Sequence, residues 1–448
     1  MADAAMVNKF ADLFESSDLR KKILYTLGAL AIYRVGAAIP IPGINGDALK
    51  AIFEAQRGGI LSFLNIFSGG ALARFSIFSM GVMPYINASI IMSLLQGAHV
   101  IPHLDRLARE GELGRRKLNN YTRYLTLALA AFQSFGLTIA ITKMPTPGHL
   151  PVVSNPSAGF YMVTVLTLTA GTVFIMWLGE QVTELGVGNG VSLIIFAGIV
   201  ERIPSATINL VRLIQAEEIG LVQALLLVAA LLVVLVAVVW VETAQRKIPV
   251  QYAKRVVGRK MYGGSQSYLP LKVDQSGVIA VIFAISLMAV PMTVVQFSPN
   301  AAWAQKVQDF MNRGNWIYQV SYAALIVFFC YFYNSVSINP EDLADNMKKS
   351  GGFIPGYRPG ESTAKYVEWV LDRITLGGAT FVAVICVLPD WARTHMNIPF
   401  FFGGTALLIV VGVALDTMGQ LEAQLIMRHY EGFLKKSKLR QRWFNVGS

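Results

Sequence analysis

The chain has 448 residues, 54% of them apolar and 15% charged, with 38 Lys and Arg against 27 Asp and Glu for a formal net charge of +11. Soluble proteins carry about 25% charged residues, so the composition excludes a water-soluble domain of useful size. Two cysteines, Cys330 and Cys386, both fall in apolar runs, where a thiol reads as a small packing residue and not as half of a disulfide or metal pair.

Residues 1–22 form a short amino-terminal segment with no apolar core and no small-residue cleavage site. The apolar run that follows Arg20, Lys21 and Lys22 is therefore expected to be a retained first span, not a removed signal peptide. Crossing a bilayer takes about 20 apolar residues, and runs of that kind are predicted near 23–42, 75–98, 122–142, 159–179, 190–209, 220–241, 276–297, 316–337, 375–393 and 403–425. Leu221 to Val241 contains no ionisable side chain. Glu201, Arg202 and Pro204 interrupt the fifth run, and Pro389 and Asp390 the ninth. The expected class is an all-α polytopic membrane protein with ten transmembrane helices.

Between the first two spans, residues 58–76 (GGILSFLNIFSGGALARFS) are too short and too rich in Gly and Ser to span, yet too apolar for an exterior loop. A short helix tucked into the interior fits that composition. In the second span Gly81 and Pro84 weaken the helix, and Asn87, Ser89, Ser93 and Gln96 would be costly against lipid. A polar helix packed inside a bundle is the simpler reading of those residues.

Cytoplasmic loops retain Lys and Arg. With the amino terminus inside, the inner segments hold 28 of the 38 cations, so both termini are expected in the cytoplasm. Two inner loops are long, 243–274 and 338–374. In the first, KIPVQY (247–252) and SYLPLKV (267–273) alternate like strands around the turn-rich GRKMYGGSQ, which predicts a hairpin. Seven cations and no acid between Thr243 and Val273 would attract an acidic protein face, anionic lipid or RNA phosphate. Positive-inside bias accounts for the sign of that charge but not for the loop's length. In the second loop GGFIPGYRPGE (351–361) is read as a tight turn that holds Arg358 outward as a fixed donor.

GVGNG (186–190) has the wrong spacing and setting for a dinucleotide fingerprint and reads as a flexible start to the fifth span. Pro102 separates His99 from His103, which argues against a shared metal. No zinc-protease or serine-nucleophile motif is present. Ion-coupled carriers place ionisable groups at mid-membrane, and apart from the charges that interrupt the fifth and ninth runs Arg34 and Asp416 are the only such candidates. No catalysis and no cofactor or metal is expected, and because the chain lacks a phosphate-binding loop any energy-driven step would draw on a partner.

Several segments resemble the SecY family of bacterial protein-conducting channels. They include IPIPGI (39–44), FSGGALARFSIF (67–78), MPYINASI (83–90), GRRKLNNYTRY (114–124) and MWLGEQVTELGVGNGVSLIIFAGIV (176–200). Further matches are QYAKRVVGRKMY (251–262), LPLKV (269–273), NPEDLADNMKKSGGFIPGYRPGE (339–361) and FFGGTALLIVV (401–411).

The resemblance implies two inverted-topology halves, 23–209 and 220–427, that form an hourglass pore with a plug helix, followed by a cytoplasmic tail at 428–448. It implies a pore ring of Val82, Ile86, Val191, Ile195, Ile282 and Ile409, an apolar girdle that resists wetting and offers a passing chain no fixed partner. Val82 and Val191 stand where many relatives have Ile. The plug would comprise Leu61, Leu64, Ile66, Phe67, Gly69, Gly70, Leu72 and Arg74, and the lateral gate would face Asn87 and Gln96 with Ser286. Arg255, Arg259, Lys260 and Arg358 would dock the ribosome, through its RNA, or the SecA ATPase. The implied function is translocation of unfolded preproteins across the bacterial cytoplasmic (inner) membrane and lateral release of signal sequences and transmembrane segments into membrane lipid, with SecE and SecG as partner subunits. A solute carrier would instead need a saturable small-molecule site, and an assembly scaffold would need no pore ring.

Overall fold

In the computed structural model, residues 17–444 are described except for 56–64, 66–67, 98–100, 144–150, 154–155, 218, 253–254, 258–259, 263–265, 296, 298–300, 312–314 and 397–402. In chain order the first half contains α1 (Ser17–Ala38), α2 (Gly46–Ala55), a 3-10 turn (Leu72–Arg74), α3 (Met83–Gly97) and α4 (Pro102–Arg109). It continues with α5 (Glu112–Lys143), α6 (Ala158–Leu185), α7 (Gly190–Val200) and α8 (Arg202–Gln215). The second half begins with α9 (Leu221–Thr243), β1 (Gln245–Tyr252), β2 (Arg255–Val257), β3 (Lys260–Tyr262) and β4 (Gln266–Lys272). There follow α10 (Gly277–Val295), α11 (Ala302–Phe310), α12 (Trp316–Ser337), α13 (Pro340–Lys349), β5 (Gly352–Phe353), α14 (Glu361–Met396) and α15 (Gly404–Phe444).

Eight helical segments among the described residues are long and apolar enough to cross a membrane, with α7 and α8 counted as one and α12 and α13 as another. This makes the chain a multi-pass membrane protein. The ten-span reading also needs α1, which keeps Lys21, Lys22 and Arg34, and α3, which has only 15 residues. Exposure sorts the helices. On α9 Leu221, Val222, Leu225, Leu226, Val233 and Val236 all face outward, the signature of a lipid-facing helix. On α10, by contrast, Val281, Ile282, Phe283, Ala284, Ile285 and Ser286 are all buried, so this helix lies at the centre of the bundle.

Several helix starts follow directly from local chemistry. The side chains of Ser157, Asn189, Asn315 and Asn339 accept the free amides of Phe160, Ser192, Ile317 and Glu341 at the starts of α6, α7, α12 and α13. Other boundaries depart from expectation. The second span, expected from residue 75, becomes α-helical only at Met83, because Phe75 and Gly81 adopt left-handed backbone (φ +45° and +57°) and fold 75–82 into turns. Ser76 meanwhile pairs with Pro40 in an isolated bridge. At the fifth span α7 gives way to α8 at Glu201, yet the chain stays close to helical there (φ −55°, ψ −28°). Pro389 does not stop α14, which runs on to Met396.

On the predicted cytoplasmic side the expected hairpin forms, with β1 and β4 antiparallel from Gln245↔Lys272 to Gln251↔Gln266. The loop 338–374 is mostly ordered into α13, β5 and the first turns of α14, and β5 adds to the free edge of β1 (Gln251↔Phe353). Ile248 and Leu271 of the hairpin then share an apolar cluster with Ile354, Val367, Val370 and Leu371. The two loops thus make one three-stranded unit, in the order β4-β1-β5.

Candidate functional site

The six aliphatic residues singled out in the sequence come from separate elements and all belong to, or pack against, the main apolar cluster of the bundle. Val82 precedes α3 and Ile86 lies one turn into it, Val191 and Ile195 occupy successive turns of α7, Ile282 lies on α10 and Ile409 on α15. Val82, Ile86, Ile195, Ile282 and Ile409 are between 0% and 7% exposed within one apolar cluster, and Val191 packs against it. A cavity of about 420 Å³ is lined by Ile86, Val191, Ile195 and Ile282 together with Tyr85, Ile279 and Phe283. Ser89, Ser93, Asn119, Thr183, Asn189 and Ser192 line the same space, so polar side chains and these apolar residues share one vestibule.

The vestibule lining also holds an ion pair between residues 57 apart in the chain, which spacing alone does not mark. Arg123 of α5 donates from Nε and Nη2 to the two carboxylate oxygens of Glu180 of α6, at 3.0 and 2.8 Å. This two-point geometry fixes both side chains. Glu184, one turn further along α6, lines the same cavity.

The start of α7, which carries Val191 and Ile195, is held tightly. Asn189 caps it and the Gly190 amide donates to Thr183 Oγ1 at 2.9 Å. A β-carbon at Gly190 would lie 2.0 Å from the Gly179 carbonyl oxygen. The glycine therefore permits close approach of α7 to α6, whereas the sequence suggested a flexible entry.

Beside the cluster lies the second part of the glycine-rich segment. Leu61, Leu64, Ile66 and Phe67 fall outside the described residues, while Gly69, Gly70, Leu72 and Arg74 belong to a chain of turns and the 3-10 helix. The Asn65 side chain accepts from Ala73 N at 2.9 Å and Ser68 Oγ accepts from Leu72 N at 3.1 Å, so the turns are self-bonded. Ala71 belongs to the same apolar cluster as the six aliphatics, whereas Leu72 and Phe75 belong to a second cluster with Ile41, Leu49 and Leu168. Arg74 is exposed. Tyr33 and Arg34 of α1 donate to the carbonyls of Ser68 and Gly69.

Of the gate candidates, Asn87 on α3 and Ser286 on α10 are 7% and 0% exposed, and Gln96 is half-buried. The helices α3 and α10 pack against one another. Among the described residues the Ser286 hydroxyl has no hydrogen-bond partner, so no such bond runs from it to Asn87 or Gln96. Asn87 instead lines a small cavity of about 40 Å³ with Leu72, Ser79, Met83, Ala289 and Thr293. That space touches α3, α10 and the 3-10 turn together.

At the loop unit Arg255 lies in β2 and Lys260 in β3, and Arg259 is outside the described residues. Arg358 is exposed between Gly356 (φ +89°) and Gly360 (φ +108°), with its carbonyl tied to Thr363 Oγ1 at 2.8 Å. Among the described residues no group of His, Cys, Asp and Glu is placed to hold a metal.

A family model described as SecY matches residues 76–418. The protein translocase subunit SecY of Aquifex aeolicus (strain VF5) is 47% identical over 425 residues, 95% of this chain and 98% of that protein. The protein of the same name from Escherichia coli (strain K12) is 46% identical over 428 residues, 94% and 95% of the two chains. Among solved structures, a protein-conducting channel is similar with a TM-score of 0.64 at 16% identity, covering 90% of this chain and 92% of that one. Sec61 in the canine ribosome-channel complex from the endoplasmic reticulum is similar with a TM-score of 0.60 at 16% identity and the same coverage.

Proposed function

The chain belongs to the SecY family and is a protein-conducting channel subunit, and from that premise we propose that unfolded preproteins cross the bacterial cytoplasmic membrane between Val82, Ile86, Val191, Ile195, Ile282 and Ile409. The observation that carries this reading is the vestibule of about 420 Å³ that four of those six side chains line together with polar residues. Polar lining side chains keep an arriving chain hydrated, and an aliphatic ring excludes water when empty while giving no fixed partner to the chain that replaces it.

In this reading the segment 58–76 is the plug on the far side of the ring, and α3 and α10 are the two sides of a lateral gate. Buried polar contacts in membrane helices contribute only about 0.6–2 kcal/mol each. A helix interface with an unsatisfied Ser286 hydroxyl and a small cavity beside Asn87 is held more weakly still. An apolar signal sequence can therefore displace it. Both termini and the β1–β5 unit lie in the cytoplasm, where Arg255, Arg259, Lys260 and Arg358 meet a ribosome or the SecA ATPase. SecE and SecG complete the assembly, and the chain itself catalyses no reaction.

The experiment places a photoreactive crosslinker at Ile195 and a control at Val233, which faces outward on α9, and then adds a stalled secretory polypeptide. An adduct from Ile195 alone is the expected result. No adduct from Ile195, with docking of the driving partner verified, would move the path elsewhere and return the carrier and scaffold readings.

A further inference from the structure

The contact between α1 and the glycine-rich segment has features that general packing does not require. Tyr33, fully buried, donates from its hydroxyl to Ser68 O at 3.1 Å. Arg34 donates to Gly69 O at 3.3 Å, and its guanidinium also reaches the Ala197 carbonyl and the Glu201 carboxylate at the end of α7. One cation thus ties together α1, the segment and the carboxy-terminal end of the helix that carries Val191 and Ile195.

Both bonds to the segment go to main-chain carbonyls, so they depend on where the segment sits and not on its side chains. The fit is close: a β-carbon at Gly69, which has φ +60°, would stand 2.9 Å from the Tyr33 hydroxyl and 3.0 Å from Gly198 Cα. The other hydrogen bonds described around Asn65 and Ser68 stay within the segment. The ion pair is also releasable, because the Arg34 and Glu201 side chains remain 27% and 38% exposed and water can take over their partners.

We propose that Tyr33 and Arg34 are positioning residues that latch Ser68–Phe75 against α7 in the resting channel, with Glu201 setting the strength of the latch and its release forming a step in opening. This rests on reading the segment as part of the plug. Glu201, which the sequence offered only as an interruption of a span, thereby acquires a role.

The test uses the full chain in lipid nanodiscs, which leave both faces accessible, with Ser68→Cys as a reporter. Position 68 is 2% exposed, and the native thiols Cys330 and Cys386 are equally buried and serve as internal controls. Modification of the reporter thiol by a polar maleimide should be about tenfold faster in Arg34→Gln, the factor expected from loss of one charge-assisted hydrogen bond. Tyr33→Phe and Glu201→Gln should each accelerate it by roughly threefold, as weaker losses. The double variant Arg34→Gln/Glu201→Gln should match Arg34→Gln alone, and the accelerated variants should raise ion conductance across planar bilayers.

Reporter rates that stay at the parent value, unchanged conductance, or Cys330 and Cys386 becoming reactive in step with the reporter would each overturn the latch, the last by revealing general loosening. If Arg34→Gln does not fold, Tyr33→Phe decides the question, since it removes one hydroxyl and keeps the ring packing. The labelling needs neither substrate nor partner. A missing adduct at Ile195 beside accelerated labelling at position 68 therefore counts against the transport path and not against the latch.

Discussion

Replacing Gly190 by alanine tests whether close contact of α7 with α6 sets the position of Val191 and Ile195 in the vestibule lining. The added β-carbon would lie 2.0 Å from Gly179 O, 2.9 Å from Gly179 C and 2.7 Å from Val182 Cβ. Two of these atoms are main chain, so no side-chain rotation relieves the clash. Restoring an ordinary carbon–oxygen contact of about 3.3 Å requires the first turn of α7 to retreat by about 1.3 Å, and Val191 moves with it. Overpacking of this kind costs about 1–3 kcal/mol, of which alanine's better helix propensity returns up to about 1 kcal/mol. We expect a net loss of about 2 kcal/mol. Gly28, where an added β-carbon would meet nothing within 4 Å, is the control, because Gly28→Ala receives the propensity gain alone. Thermal unfolding in detergent should rank Gly28→Ala at or above the parent and Gly190→Ala below it, and planar-bilayer recordings should show added ion leak for Gly190→Ala only. A Gly190→Ala protein that melts with the parent and leaks no more would refute the close-approach argument and restore the flexible start suggested by GVGNG.

Asn334 of α12 donates from Nδ2 to Thr375 Oγ1 of α14 at 2.8 Å, with both residues buried. Asn334→Ala should therefore lower stability by about 1–3 kcal/mol, and a double-mutant cycle with Thr375→Val should show that most of the loss is shared. Asp274, 5% exposed between β4 and α10, has one carboxylate oxygen bonded to Gly277 N and Ser276 Oγ and the other without a partner among the described residues. Burial holds its pKa above the ordinary 3.8 despite those bonds and the nearby Lys272. The folded state therefore binds the proton more tightly than the unfolded one, so this group's contribution to stability falls as pH rises from 3.8 through the raised value. Asp274→Asn should melt higher than the parent above that window and lose the decline, as read by thermal unfolding across the pH range; an unchanged profile would refute the assignment. Arg358→Glu should leave the melting temperature unchanged, since the side chain is exposed. It should still weaken docking of the driving partner, measured by binding and by transport into vesicles, and normal transport by a well-expressed variant would remove Arg358 from the docking face.

Features that depend on neighbours along the chain were legible before any fold was known. Hydropathy over about 20 residues marks a membrane helix because every main-chain polar group must be satisfied within the segment, and most predicted spans lie close to the observed helices. Alternation in KIPVQY and SYLPLKV specified the β1–β4 hairpin for the same local reason. Features that depend on neighbours in space emerged only on folding. Arg34 and Glu201 are 167 residues apart, and the sequence shows one as a charge inside a span and the other as a break in one. Only the packing of α1 against α7 makes them a pair. Likewise β5 joins β1 across about a hundred residues and turns two separate loops into one unit, and Gly190 is explained only by the carbonyl of Gly179 opposite it. Composition reports what a segment can be buried in, whereas the partner that meets each buried polar group is chosen by helix packing, and that choice set the vestibule at the start of α7 and the α1 contact at its other end.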